Sequence, residues 1–216
     1  MTRSTVAIAT RREAIIDRSL HLVAICGAVV GSVILLHSLA TADRPELEWP
    51  VGLYILGLLS MLICSAAYNA SEHSSWRPVL RRLDYAAIFL LIAGTYSPFL
   101  GAATGSGIIG MAYAGVWIFA IAGVLAQLLF HSRLRKRVSV ALYLALGWSV
   151  LLVIDPVSAI LSSEIVWLIT LGGILYTVGV VFHLAERLRY QNIIWHGFVI
   201  TAASIHFFAV LTLVTS

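Results

Sequence analysis

The chain has 216 residues, of which 60% are hydrophobic and only 11% are charged. A soluble globular domain carries roughly 25% charged residues, so this composition excludes a protein whose surface mainly faces water. The net charge of +4 would suit nucleic-acid binding, but the basic residues have a simpler explanation in membrane topology. We therefore expect the lipid bilayer, and no nucleic acid, as a partner of this chain.

Six windows without any Asp, Glu, Lys or Arg divide the chain, and a helix that crosses a bilayer needs about 20 such residues. The window 85–132 is long enough for two helices, separated by the glycine-rich residues 101–107. The shortest window, 138–154, is expected to end at Asp155-Pro156, because proline lacks a helix donor. The sequence predicts an all-α integral membrane protein, a seven-transmembrane-helix bundle of one domain, with a cytoplasmic N-terminal segment 1–19 and helices at approximately 20–41, 50–70, 84–102, 106–130, 138–154, 164–185 and 192–215.

Thirteen of the fourteen basic residues lie on one side of the predicted helices, and Arg44 alone lies on the other. Because basic loops are retained in the cytoplasm, the N-terminus is expected to be cytoplasmic and the C-terminus outside. The small residues 40–42 resemble a signal-peptide cleavage site. The apolar run before them is longer than that of a signal peptide, so the first span is interpreted as a retained helix.

Polar residues at membrane depth are costly, so each is a functional candidate. Residues four positions apart lie on the same face of a helix. Several of these polar residues therefore form stripes on the first, second and seventh helices. All lie near the predicted cytoplasmic ends, and we expect them to form one polar pocket there. In chain order they are Glu13, Asp17, His21, Ser65, Asn69, Asp84, His183, Asn192 and His196.

Simpler interpretations remain open for these residues. Glu13 and Asp17 could be solvated at the interface, Asp84 could cap the third helix, and His196 could bond to a neighbouring helix. The other histidines are interpreted as loop, interfacial or structural residues; they are His37, His73, His131 and His206.

Three segments of the sequence carry a family signature. They are Tyr68-Asn69, Leu80–Phe99 and Ile194–Val199. Together they closely resemble the hemolysin III family, the bacterial branch of the progestin and adipoQ receptor superfamily. The resemblance runs from about Glu13 to the end of the last helix. It implies a seven-helix fold in a bacterial inner membrane, with the N-terminus inside.

The first helix of this family carries a Glu, an Asn and a His at four-residue intervals, and the same positions here hold Glu13, Asp17 and His21. These three are therefore assigned to the pocket. This chain departs from the pattern at the middle position, where a carboxylate replaces the amide.

The resemblance also implies a zinc site, in which three histidines bind the ion and an aspartate holds a metal-bound water. Asp84 matches the aspartate and Ser65 a serine of the same site, so both are candidate catalytic residues. Two of the three histidine positions hold Asn69 and Asn192, which leaves His196 as the remaining imidazole.

Loss of two imidazoles predicts a weakened metal site, because an amide oxygen is a poor zinc ligand. Zinc is therefore the less favoured cofactor, although His73, His183 or Glu186 are available as substitute ligands. The two asparagines could instead support a metal-free hydrogen-bond network.

Three functional hypotheses follow. The first is a lipid-related sensor or receptor-like protein, whose pocket holds a lipid or fatty acid. The second is a zinc-dependent hydrolase of lipid amides, as in ceramidase-like relatives, with Asp84 as general base. The third is a membrane-permeabilising hemolysin. A conducting path needs polar lining throughout, and the non-cytoplasmic halves of these helices are nearly all apolar.

Overall fold

A computed structural model of the chain describes residues 11–101, 107–130 and 136–216. Within these ranges the elements are helical, and seven stretches are long and apolar enough to cross a membrane. The predicted seven-helix, all-α fold is therefore confirmed. Most of the predicted turn at 101–107, and also His131, lie outside the described residues. The helices are α1 (Arg11–Ala42), α2 (Pro45–Ala70), α3 (Arg77–Gly101), α4 (Gly107–Phe130), α5 (Lys136–Gly147), α6 (Ile154–Ser158), α7 (Ser163–Leu184) and α8 (Gln191–Thr215).

The fifth span differs from the expectation that Asp155-Pro156 closes it. After α5 the chain tightens into a 3₁₀ segment, Trp148–Val153, and α6 then carries the span to Ser158. Pro156 is the third residue of α6. Backbone N–H groups in the first turn of a helix have no intrahelical acceptor, so proline costs little there. The change to 3₁₀ geometry thus restarts the helix just before the proline.

Two helices begin earlier than predicted. α1 begins at Arg11 instead of about residue 20, and α3 begins at Arg77 instead of about residue 84. Apolar windows alone could not show these starts, because the added turns carry charged residues. Asp84 consequently lies well inside α3, so the interpretation of this residue as the N-cap of the helix was wrong.

Two glycines allow α2 and α3 to pack with their backbones in contact. A Cβ atom built on Gly57 would lie 2.5 Å from the carbonyl oxygen of Leu90, and one built on Gly94 would lie 2.7 Å from that of Leu53. Small residues at helix crossings are typical of membrane bundles, because close packing and not water exclusion drives association there. This contact holds the end of α2 beside the beginning of α3.

The remaining helices enclose the same centre. α1 packs between α2 and α8, α7 packs against α8, and α4 packs against α3. The outer surface is apolar: Val23 is 71%, Ile118 69% and Leu152 85% exposed. Such a surface is stable only in lipid, so the chain is a multi-pass membrane protein. The starts of α1, α3, α5 and α8 lie at one end of the bundle, called here the polar end, because residues near these starts contact one another or line the same cavity.

Candidate functional site

A buried acid and two buried imidazoles meet between α1 and α8. Oδ1 of Asp17 lies 2.6 Å from Nδ1 of His196, although 179 residues separate the two in sequence. His21, one turn after Asp17, directs Nδ1 at the Asp17 backbone carbonyl, 2.8 Å away, and its ring meets the His196 ring edge-on at 4.4 Å. The four-residue spacing of Asp17 and His21 puts both on the inner face of α1.

The end of α2 extends this network towards α3. The hydroxyl of Ser65 lies 3.3 Å from Nε2 of His21. The Asp84 carboxylate lies beside this hydroxyl and near the His196 imidazole. Asn69 donates from Nδ2 to the Ser65 carbonyl oxygen at 2.9 Å and approaches its hydroxyl at 3.4 Å. Side chains from α1, α2, α3 and α8 are thus joined at one depth of the bundle.

Other predicted site residues lie at the edge of this network. Glu13 lies one turn before Asp17, with Oε1 3.9 Å from Nε of the exposed Arg189. Asn192 is exposed in the first turn of α8. The His183 ring packs on Trp195, with 4.6 Å between centroids.

A cavity of about 340 Å³ begins at this network and continues into the bundle. Its polar end is lined by Ser65, Asn69, Asp84, Lys136, His183, Asn192 and His196. Most of the remaining wall is apolar, and α2, α3, α5, α6, α7 and α8 contribute to it. Asp17 and His21 do not line the cavity, so His196 is the member of this cluster that contacts it.

A second group of polar side chains, which sequence reasoning missed, lies deeper in the bundle. His206 and Tyr176 line the cavity, with ring centroids 5.6 Å apart, and His206 Nε2 lies 3.1 Å from the Ile169 carbonyl oxygen. Among the described residues, His206 Nδ1 and the hydroxyls of Tyr176 and Tyr54 are buried without a hydrogen-bond partner. Buried polar atoms of this kind are rare, and they leave donors and acceptors for a bound molecule or water.

Comparison with known proteins identifies the family. Residues 11–207 match the family described as haemolysin-III related. The chain belongs to the haemolysin III family. Hemolysin-3 of Bacillus cereus is 35% identical over 176 residues, which cover 81% of this chain and 77% of that protein. A Hemolysin-3 homolog of Bacillus subtilis is 33% identical over 157 residues, 72% of this chain and 73% of that protein.

The haemolysin III chain also has mammalian relatives. The human monocyte to macrophage differentiation factor is 29% identical over 197 residues, 88% of this chain and 79% of that protein. This match is consistent with the progestin and adipoQ receptor superfamily. No solved structure matched the chain significantly. Family membership and seven apolar spans together make this a multi-pass cell-membrane protein.

The three-imidazole zinc set implied by the haemolysin III resemblance does not fit the residues present. At the α2 position, the Asn69 amide N–H donates to its own helix, and at the first α8 position Asn192 is exposed. Neither amide offers the strong nitrogen ligand that zinc prefers. Only His196 of this set remains buried beside the cavity.

Proposed function

We propose that the protein is a lipid-related sensor or receptor-like protein, whose cavity binds a long-chain amphiphile such as a fatty acid. One observation carries this proposal: the cavity combines a polar end with an apolar length. Its volume of about 340 Å³ falls in the range of ligand pockets, roughly 300–1,000 Å³. An alkyl chain would occupy the apolar length, and a carboxyl or amide head group would lie at the polar end.

The polar end supplies complementary chemistry for such a head group. Asp84 and the Ser65 hydroxyl line this end and can accept hydrogen bonds from a ligand, and Lys136 adds a cation to the same wall. Nζ of Lys136 lies 2.7 Å from the His183 carbonyl oxygen and 3.5 Å from Oε1 of Glu186, an exposed carboxylate. A ligand carboxylate could replace Glu186 as the partner of this ammonium group at a small cost in free energy, because an ion pair with an exposed carboxylate is weak.

The polar end is proposed to face the cytoplasm. Of the eleven basic residues in the described ranges, ten belong to the segments at this end and Arg44 belongs to the other. The positive-inside rule relates this asymmetry to orientation. The amphiphile would then enter with its head group at the cytoplasmic leaflet.

Filling the cavity tests the proposal. Ile88 lines it one turn from Asp84, so Ile88→Trp should block the passage between the polar end and the apolar length. We expect binding of a radiolabelled long-chain fatty acid to protein in nanodiscs to weaken at least about tenfold, which corresponds to about 1.4 kcal/mol. The matched control is Ile118→Trp, which places the same side chain at a lipid-facing position that is 69% exposed. Equal binding by both variants, or none by the wild type, would contradict the proposal.

Hydrolysis of lipid amides is a second candidate. The Ser65 hydroxyl, the Asp84 carboxylate and the His196 imidazole lie close together at the polar end of the cavity, where a bound amide would lie, and this arrangement favours hydrolysis. Asp84 would act as general base for an attacking water, an effect worth about 10²–10⁴-fold in rate. Asp84→Asn should therefore lower turnover of a long-chain N-acyl lipid at least about 100-fold while fatty-acid binding persists. Equal release of fatty acid by variant and wild type would rule this activity out.

Membrane permeabilisation, which the names of the two Bacillus relatives describe for those proteins, has less support in this chain. An aqueous path needs polar groups along the whole membrane depth. The cavity wall beyond the polar end is mainly apolar, with Leu91, Phe99 and Val157 among its residues. Dye release from liposomes that contain the purified protein would test this activity directly.

A further inference from the structure

His206 and Tyr176, called here the deep pair, form a second polar position in the cavity, away from its polar end. Both residues line the cavity, and their ring centroids lie 5.6 Å apart. Within the described ranges, Nδ1 of His206 and the hydroxyl of Tyr176 are buried and have no hydrogen-bond partner. We propose that the deep pair binds a hydroxyl group carried part-way along the chain of the amphiphile. The inference rests on the proposed function and specifies which class of amphiphile the cavity selects.

The hydrogen-bonding character of His206 follows from its other ring nitrogen. Nε2 lies 3.1 Å from the carbonyl oxygen of Ile169, and a carbonyl oxygen only accepts, so Nε2 carries a hydrogen. A second ring proton would place an unpaired charge deep in the membrane, which is costly. Nδ1 is therefore an acceptor, and the Tyr176 hydroxyl can both donate and accept. An alcohol satisfies both groups, because it can donate to Nδ1 and accept from the tyrosine.

The fold holds the His206 ring in place before any ligand binds. Gly172 on α7 leaves the space that the imidazole occupies, since a Cβ atom built on this glycine would collide with the ring. The side chain is only 8% exposed, and its contact with the Ile169 carbonyl orients it. A ligand therefore meets an acceptor that is already positioned, so little ordering is needed on binding.

Other hydroxyls on the cavity wall do not offer the same chemistry. Thr95, Thr170 and Thr177 line the cavity, but each donates to the carbonyl oxygen four residues earlier on its own helix, at 2.8 Å. Tyr54 also has a buried hydroxyl without a partner in the part of the chain that the structure describes, but it does not line the cavity. The deep pair is thus the place where a ligand hydroxyl would fill unused hydrogen-bonding capacity.

The depth of the pair indicates which carbon carries the hydroxyl. His206 follows His196 by ten residues on α8, so it lies roughly 15 Å from the polar end. An extended chain advances roughly 1.2 Å per bond, which places the deep pair beside about the twelfth carbon of a fatty acid whose carboxylate lies at the polar end. The cavity continues further, because Phe99, fifteen residues after Asp84 on α3, also lines it. Apolar chain would therefore extend on both sides of the hydroxyl.

The experiment compares octadecanoic acid with the same acid hydroxylated at about the twelfth carbon, both binding to the full-length protein in nanodiscs. Binding to protein-free nanodiscs is measured and subtracted. The wild type should bind the hydroxylated acid at least about tenfold more tightly, because only this ligand satisfies the buried polar atoms. The ketone at the same carbon cannot donate to Nδ1 of His206, so it should lose most of this preference.

Two variants remove the deep pair one group at a time. Tyr176→Phe removes only a hydroxyl, and His206→Leu removes the acceptor. Each should reduce the preference for the hydroxylated acid to less than about threefold, and neither should weaken binding of the plain acid by more than about twofold. The matched control is Tyr68→Phe, which removes a hydroxyl at the polar end of the same cavity. It should leave the preference as it is in the wild type.

Equal binding of the plain and hydroxylated acids by the wild type, the result expected if the deep pair holds only water, would overturn the inference while the proposed function still held. A preference that persists in both Tyr176→Phe and His206→Leu would overturn it too, because the hydroxyl would then be recognised elsewhere. Binding of neither acid would refute the proposed function, and this inference with it.

Discussion

Replacement of His196 by leucine should lower the free energy of unfolding by about 3–5 kcal/mol. The side chain of Asp17 is about nine-tenths buried, and Oδ1 has its partner 2.6 Å away in His196. Leucine has nearly the size of histidine, so the loss would come from a carboxylate left without its partner and not from a cavity. Thermal and denaturant unfolding in mixed micelles would measure it.

The matched control is the same substitution at His73, which is exposed between α2 and α3. Exposed positions without special contacts usually change stability by less than about 0.5 kcal/mol. If His196→Leu were as stable as His73→Leu, the pairing of Asp17 with His196 would contribute nothing to the fold.

Replacement of Gly57 by leucine should prevent the bundle from assembling, with a loss of more than about 3 kcal/mol. Its first added atom alone would lie 2.5 Å from the backbone oxygen of Leu90, and backbone cannot move aside as a side chain can. α2 and α3 would separate, and Ser65 would no longer lie beside Asp84. Size-exclusion chromatography and unfolding of the purified variant would report the loss.

Gly52→Leu is the control on the same helix. A Cβ atom there meets nothing within 4 Å, and the position is exposed to lipid. Leucine is also a better helix former than glycine, so this variant should be as stable as the wild type or slightly more so. A folded Gly57→Leu protein with unchanged stability would mean that α2 and α3 do not touch at this crossing.

The number and class of the helices could be predicted because each uncharged window has about the length of one membrane span, except 85–132, which has the length of two. Their starts could not. The first turns of α1 and α3 carry Arg11 and Arg77, which hydropathy assigns to loops. Pro156 was misjudged for a related reason: the 3₁₀ segment that places it in a first turn leaves no signal in composition.

Spacing identified the polar stripes, but not their partners. Asp17 and His21 share a helix face in any α-helix, whereas the contact of Asp17 with His196 depends on how α1 and α8 pack. The same reasoning could not identify the deeper polar group of Tyr54, Tyr176 and His206. Tyr54 and Tyr176 resemble ordinary packing aromatics in apolar windows, and they become noticeable only when their hydroxyls are found buried without a partner.

The most direct test of this account is a double-mutant cycle that joins Asp17→Ala with His196→Leu. If the two side chains meet inside the bundle, the double variant should lose less stability than the sum of the single losses, with a coupling energy of about 1–3 kcal/mol. A reference cycle with His206→Leu, roughly 15 Å further along α8, should be additive within about 0.5 kcal/mol. Additive losses for Asp17 and His196 would show that α1 and α8 do not build a common site.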